Sequence, residues 1–235
     1  LSDWIDQVRD NLLRIQERIE RACRRSGRSP TDVTVIAVTK YLDIEQMSRL
    51  LDLGVAHVGE NRVQAAMAKY QKLGERGTWH FIGHLQTNKV RDVVGRFSYI
   101  HSLDRLSLAQ ELDKRATISG KPVECFLQVN VSGEETKSGI NPQDVMHFVE
   151  TLGNMKYIRV IGLMTMAHKT GDPEETRPIF RRLRELRDKV REMGIPNVPA
   201  THLSMGMSGD FEVAVEEGAT YVRLGQILYH TGRGG

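Results

Sequence analysis

The chain has 235 residues, 40% hydrophobic and 27% charged, which suits one large α/β unit or two small ones with a sizeable buried core. A net charge of only +3, from 33 basic and 30 acidic residues, is too even to mark a nucleic-acid or membrane surface. Two distant cysteines, Cys23 and Cys125, make no disulfide framework, and no apolar run nears the ~20 residues of a membrane span.

The N-terminal segment is acidic and amphipathic, unlike a secretion signal, so the cytoplasm is the expected location. Ile5, Val8, Leu12, Ile15, Ile19 and Ala22 recur at three- and four-residue spacing. This predicts a helix over 2–26 that Ser2 can cap and that Gly27 and Pro30 end. Residues 33–38 are apolar and β-branched on both faces, as in a buried parallel strand, and run into Lys40. A helix from Asp43 to Leu53 closes at Gly54. A short strand is expected at 55–58, before Gly59-Glu60-Asn61-Arg62, then a helix at 63–73. Further strands are expected at 78–82, 97–100, 123–129, 158–163, 200–203 and 220–222. Ser102 or Asp104 can cap a helix running to about Ser119, and Asn130–Gly139 is irregular. Pro142 marks the first turn of a helix ending near Leu152, a highly charged helix spans 174–192, and another ends at Glu217.

Strand then helix, repeated about eight times with short connections, is the pattern of a (β/α)8 TIM barrel. It predicts a single domain over 1–235 with the helix at 2–26 as an addition. A doubly wound sheet is the alternative, but it needs fewer strands, and no GxGxxG or GxxxxGK[ST] marks a nucleotide crevice.

In such a barrel the carboxyl ends of the strands build the site. The polar groups at those ends include Lys40, Glu60-Asn61-Arg62, His80, Ser102, Ser204, Ser208 and Arg223. A lysine ending the first strand has two readings. It can snorkel to water, or, partly desolvated, it can lose its proton and attack a carbonyl to form a Schiff base. Ser204-Met205-Gly206-Met207-Ser208-Gly209-Asp210 follows the seventh strand and opens a helix. Its small residues let backbone N–H groups approach an anion, while the simpler reading is a helix cap and a turn. Arg223-Leu224-Gly225-Gln226 occupies the loop after the eighth strand, and barrels often bind phosphate with these two loops.

Other chemistries fit less well. His80 and His84 are four apart but sit at a strand end, and HExxH is absent, so no metal site is expected. His57, His101, His147, His168, His202 and His230 have no ligand-like spacing. A hydrolase's GxSxG elbow is missing, and Lys89 and Lys137 read as solvated.

Six blocks stand in order along the chain: Ala37-Val38-Thr39-Lys40, Gly59-Glu60-Asn61-Arg62, residues 79–89, Gly162-Leu163-Met164-Thr165-Met166-Ala167, Ser204-Met205-Gly206-Met207-Ser208 and Val222-Arg223-Leu224-Gly225. By these blocks the chain resembles the pyridoxal phosphate homeostasis protein family over nearly its whole length. It is similar in fold to the barrel, N-terminal domain of alanine racemase. The resemblance implies a pyridoxal 5′-phosphate (PLP) binding protein of intracellular PLP homeostasis. It implies that Lys40 carries PLP as a Schiff base, and that Ser204, Ser208 and the backbone around Met207, Gly225 and Gln226 hold the phosphate. It also implies that Asn61 lies beside the ring and that Arg223 faces the pyridine nitrogen. An arginine there keeps its charge, so the ring nitrogen stays unprotonated and the cofactor is a weak electron sink.

Two positions depart from the family. Gln226 stands where Ser or Thr is usual, which removes a hydroxyl that can reach the phosphate, though backbone contacts survive the change. Ile227-Leu228-Tyr229-His230 replaces a more common Ile-Phe-Gly. The racemase completes a two-base site with a second, β-rich domain and a tyrosine from the partner subunit, whereas this chain ends soon after the eighth strand. The expectation is therefore a monomer that holds PLP and delivers it to apo-PLP enzymes without robust turnover. A PLP-dependent amino acid racemase or related lyase with Lys40 as base is the competing reading. A barrel that isomerises a sugar phosphate would leave Lys40 no covalent role.

Overall fold

In the computed structural model, which describes residues 2–230, parallel strands close into a barrel in chain order. They are β1 (Thr34–Val38), β2 (His57–Glu60), β3 (Thr78–Phe81), β4 (Tyr99–Leu103), β5 (Val123–Gln128), β6 (Ile158–Met164), β7 (His202–Ser204) and β8 (Tyr221–Leu224). Each pairs with its sequence neighbour, and β8 pairs with β1, Ala37 beside Leu224. A helix precedes the barrel, α1 (Ser2–Ser26). Those between strands are α2 (Ile44–Asp52), α3 (Val63–Leu73), α4 (Val90–Val93), α5 (Leu106–Ser119), α6 (Val145–Leu152), α7 (Arg177–Glu192) and α8 (Phe211–Glu216). The short α9 (Gln226–Tyr229) follows β8. Among the described residues no helix is long and apolar enough to cross a membrane.

Local chemistry accounts for the element ends. Asp43 and Gln46 exchange side-chain and backbone hydrogen bonds at the start of α2, a reciprocal cap that satisfies two otherwise orphaned N–H groups. Prolines 142 and 173 open single 3-10 turns that lead into α6 and α7. The apolar stripe of α1 buries Val8, Ile15, Ile19 and Ala22. That helix lies against α8 and α9. Asn11 Nδ2 donates to the carbonyls of Leu228 (3.0 Å) and His230 (3.2 Å), which ties the chain's two ends together.

Apolar side chains form two layers. The larger lies between the strands and the helices, and the smaller, Ile36, Phe126, Ile161, Met164 and Tyr221 with Tyr99 against them, fills the barrel itself. Several strands run two or three residues later than expected. β2 covers 57–60 rather than 55–58, β4 covers 99–103 rather than 97–100, and β8 reaches Leu224. Glu60, His101, Ser102 and Arg223, expected on rim loops, are therefore strand residues and buried. The expectation ended these three strands short of Glu60, His101 and Arg223, whereas this interior accepts polar groups because most of them satisfy one another. Ser102 consequently caps nothing, and Asp104 instead pairs with Arg105 at 2.8 Å ahead of an uncapped α5. Ser2 is itself the first helical residue of α1.

Candidate functional site

Lys40 lies two residues beyond the end of β1. It is exposed, and its Nζ rests 4.9 Å from the ring centroid of Tyr41, itself 86% exposed. The desolvation expected of this lysine is thus not present; a cation–π contact with an open ring holds the ammonium at the surface. The buried amine at this end of the barrel belongs to Lys69. Its Nζ donates to the Thr39 carbonyl and to Glu60 Oε1, both at 2.7 Å, and the Thr39 hydroxyl donates to the same carboxylate oxygen at 2.7 Å. The carbonyl just before Lys40 is therefore anchored from inside the fold. Sequence reading passed over Lys69, yet its position carried a signal: it falls with Ala66 and Leu73 on the buried stripe of α3. Glu60 Oε2 and Tyr229 Oη are buried there without a partner among the described residues. Burial, and then the Glu60 charge, push the Tyr229 phenol up.

The strands beside β1 bring the other candidates to this rim. Asn61 follows β2 directly and is half-buried. Its main chain presses on Gly83, where a Cβ would lie 2.2 Å from the Asn61 carbonyl oxygen, so the β2 and β3 ends can approach this closely only with glycine. On the other flank Gly225 and Gln226 follow β8, and Ser208 lies in the loop after β7. The two loops are joined, since Ser208 Oγ accepts from the Ile227 N–H at 3.3 Å. Gly206 has φ +98°, and a Cβ on it would meet the Ala214 methyl at 2.6 Å, so the turn out of β7 also requires glycine.

The donors at this rim suit an anion. The backbone amides of Ser208, Gly209 and Gly225 donate to no group among the described residues. Ser208 Oγ, already an acceptor, keeps its own proton free to donate. The Met207 N–H is not available in the same way, because Asp210 Oδ1 holds it at 2.7 Å.

Ser204 and Arg223 sit deeper than the rim. Arg223 Nη1 donates to Ser204 Oγ at 2.6 Å and Nη2 to the Thr165 carbonyl at 3.0 Å. Burial lowers the Arg223 guanidinium to about 10, partly offset by the Asp210 charge, so it remains a cation at neutral pH. The Ser204 hydroxyl is thus turned to Arg223 and to His101 (2.8 Å) inside the barrel. No group of three or more His, Cys, Asp or Glu side chains among the described residues is arranged to hold a metal ion.

The barrel and its rim define a fold class that comparison identifies. Residues 10–232 match the family described as Alanine racemase, N-terminal domain. An alanine racemase of Clostridium difficile superposes with a TM-score of 0.75 over 97% of this chain and 58% of its own; at 18% identity that likeness is one of fold. The Pyridoxal phosphate homeostasis protein of Aquifex aeolicus is 44% identical over 221 residues, 94% of this chain and 96% of that protein. The solved structure of PipY from Synechococcus elongatus with PLP bound is 34% identical, with a TM-score of 0.79 over 91% of this chain and 100% of PipY. The chain belongs to the pyridoxal phosphate homeostasis protein family.

Proposed function

We propose that this chain binds pyridoxal 5′-phosphate at the carboxyl rim of its barrel and holds it for delivery to apo-PLP enzymes, without robust turnover of its own. The observation that carries the reading is the likeness to PipY, solved with PLP bound, across 91% of this chain. The donor set fits the cofactor. The free amides of Ser208, Gly209 and Gly225 and the Ser208 hydroxyl suit a phosphate dianion, with the Gln226 main chain beside them. Met207 borders the same cradle, and its held N–H keeps the loop in shape.

Lys40 supplies the amine on the adjacent strand end. Lys40 would hold the cofactor covalently, the bound group supplying an aldehyde that an unprotonated lysine amine can capture with loss of one water. Lys40 must leave the Tyr41 ring face and lose a proton to do so. Asn61 would border the ring. Arg223, held by Ser204 and Thr165, would offer a permanent cation to the pyridine nitrogen and so weaken chemistry that needs a protonated ring. Ser204 then supports the site through Arg223, since its hydroxyl is engaged there. A cytoplasmic monomer is the form in which we expect the protein to act.

Added PLP should produce a visible absorbance band, and borohydride reduction followed by peptide mapping should label Lys40. Lys40→Ala should lose both signals. A protein that gains no band overturns the reading. The racemase fold also favours a second reading, a racemase or lyase with Lys40 as base. Alanine incubated with the loaded protein in deuterium oxide separates the two. Slow α-carbon exchange supports the carrier, and fast exchange that disappears in Lys40→Ala supports the enzyme.

A further inference from the structure

Three histidines on consecutive strands, unconnected by any motif, form one hydrogen-bonded file through the barrel. His57 opens β2 at the amino-terminal end, and its Nδ1 lies 2.9 Å from Nε2 of His80 on β3. Nδ1 of His80 lies 2.9 Å from Nε2 of His101 on β4. Nδ1 of His101 lies 2.8 Å from Ser204 Oγ, which in turn accepts from Arg223. Stacking holds the inner rings in place: His80 on Tyr99 with centroids 4.7 Å apart, His101 on Phe126 at 4.2 Å. Burial keeps both imidazoles well below their usual range, hence neutral, and the neighbouring Arg223 cation adds to this at His101.

A neutral imidazole has one N–H and one lone pair, so the file has two self-consistent proton arrangements. Arg223 can only donate, and it occupies one lone pair of Ser204 Oγ. In the first arrangement His101 Nδ1–H donates into the second lone pair. The fully buried Ser204 proton then has no acceptor among the described residues, which leaves a desolvated donor unmatched. In the second, Ser204 Oγ–H donates to His101 Nδ1, His101 Nε2–H to His80 Nδ1, and His80 Nε2–H to His57 Nδ1. Nothing inside the barrel is then left over, and the last proton sits on Nε2 of half-buried His57.

We propose that this file is the positioning device of Arg223: His57, His80 and His101 are all Nε2–H tautomers, and the chain they form turns a Ser204 lone pair to the guanidinium and fixes its plane. Ser204 and the Thr165 carbonyl are its two anchors. The remaining N–H groups of the fork are thereby aimed in one direction. The ligand half of this inference rests on the PLP reading above; the tautomer half does not.

Nitrogen-15 spectra of histidine-labelled, ligand-free protein at pH 7.5 test the tautomers directly. Protonated Nε2 and bare Nδ1 on all three rings is the expected result, and an Nδ1–H tautomer or a charged ring at His80 or His101 overturns the proposal. The second measurement is PLP affinity and the position of the absorbance band. His101→Phe should weaken binding about three- to tenfold, what one lost hydrogen bond is worth, and shift the band. His101→Gln, with an acceptor oxygen and a donor nitrogen, should restore much of both. If His101→Phe lowers only thermal stability and leaves affinity and band unmoved, the file merely fills space and the proposal fails. A wild-type protein that takes up no PLP overturns the cofactor reading, and the spectra still decide the tautomers.

Discussion

Two lysines near the end of β1 are in opposite states. Lys40 is exposed over Tyr41, while Lys69 is buried against Glu60 and Thr39. A buried ion pair contributes little net stability over an apolar pair, but removing one member strands the other charge in a poor solvent. Glu60→Gln should therefore cost about 3–5 kcal/mol in urea unfolding, and Glu60→Gln with Lys69→Met should recover much of it. A loss near zero for the single change would mean that Lys69 does not depend on Glu60 for a partner. A second prediction concerns Gln226, exposed beside the amide cradle. Gln226→Thr adds a hydroxyl next to a phosphate and should tighten PLP about three- to tenfold by absorbance titration, the worth of one hydrogen bond. Unchanged or weaker binding would place the phosphate away from that residue.

At the scale of elements, the loops after β7 and β8 act as a unit. Ser208 joins them, Gly206 turns the first, and α1 supports the helices that follow both. Ion pairs reinforce that seam: Arg18 Nε donates to Glu212 at 2.8 Å and Arg25 Nε to Glu216 at 2.6 Å. Arg18 also covers the Phe211 ring, 4.6 Å from its centroid. These pairs are partly exposed and contribute little individually; the buried stripe of α1 contributes more. Gly206→Ala forces an unfavourable φ and a 2.6 Å contact with Ala214. It should cost about 2–4 kcal/mol, read as a lowered urea midpoint at unchanged slope, and should weaken PLP binding as the loop shifts. Wild-type stability in that variant would show that the turn relaxes freely.

For the whole molecule, the polar interior has a consequence for pH dependence. His80 and His101 are held well below the ordinary imidazole value of 6.5 by burial. The unfolded chain therefore binds more protons than the folded one between that value and the lowered ones. Stability is full above about 6.5 and is lost as pH falls toward the folded-state values. Both rings contribute to that loss, which grows as the pH falls further below 6.5. Urea unfolding at pH 7.5 and 5.5 should show this drop, and replacing both rings with Gln should remove most of it. A flat profile in the wild type would mean that the rings can charge inside the barrel.

The sequence by itself determined the order of elements, the barrel class and the place of Lys40 just past the first strand. Those features rest on hydrophobic periodicity and on turn and cap residues, which act within a dozen positions. The helix at 2–26 and the irregular segment after β5 were legible for the same reason. Only the tertiary structure decided which polar residues lie inside. His101 meets Ser204 across 103 positions, Arg223 meets Thr165 across 58, and Lys69 reaches the Thr39 carbonyl across 30. Burying such groups is favourable only when partners from distant segments satisfy them, and no local window of sequence contains those partners. Lys40 is exposed for the converse reason: no distant segment among the described residues closes over it, so the strand end alone leaves its charge in water.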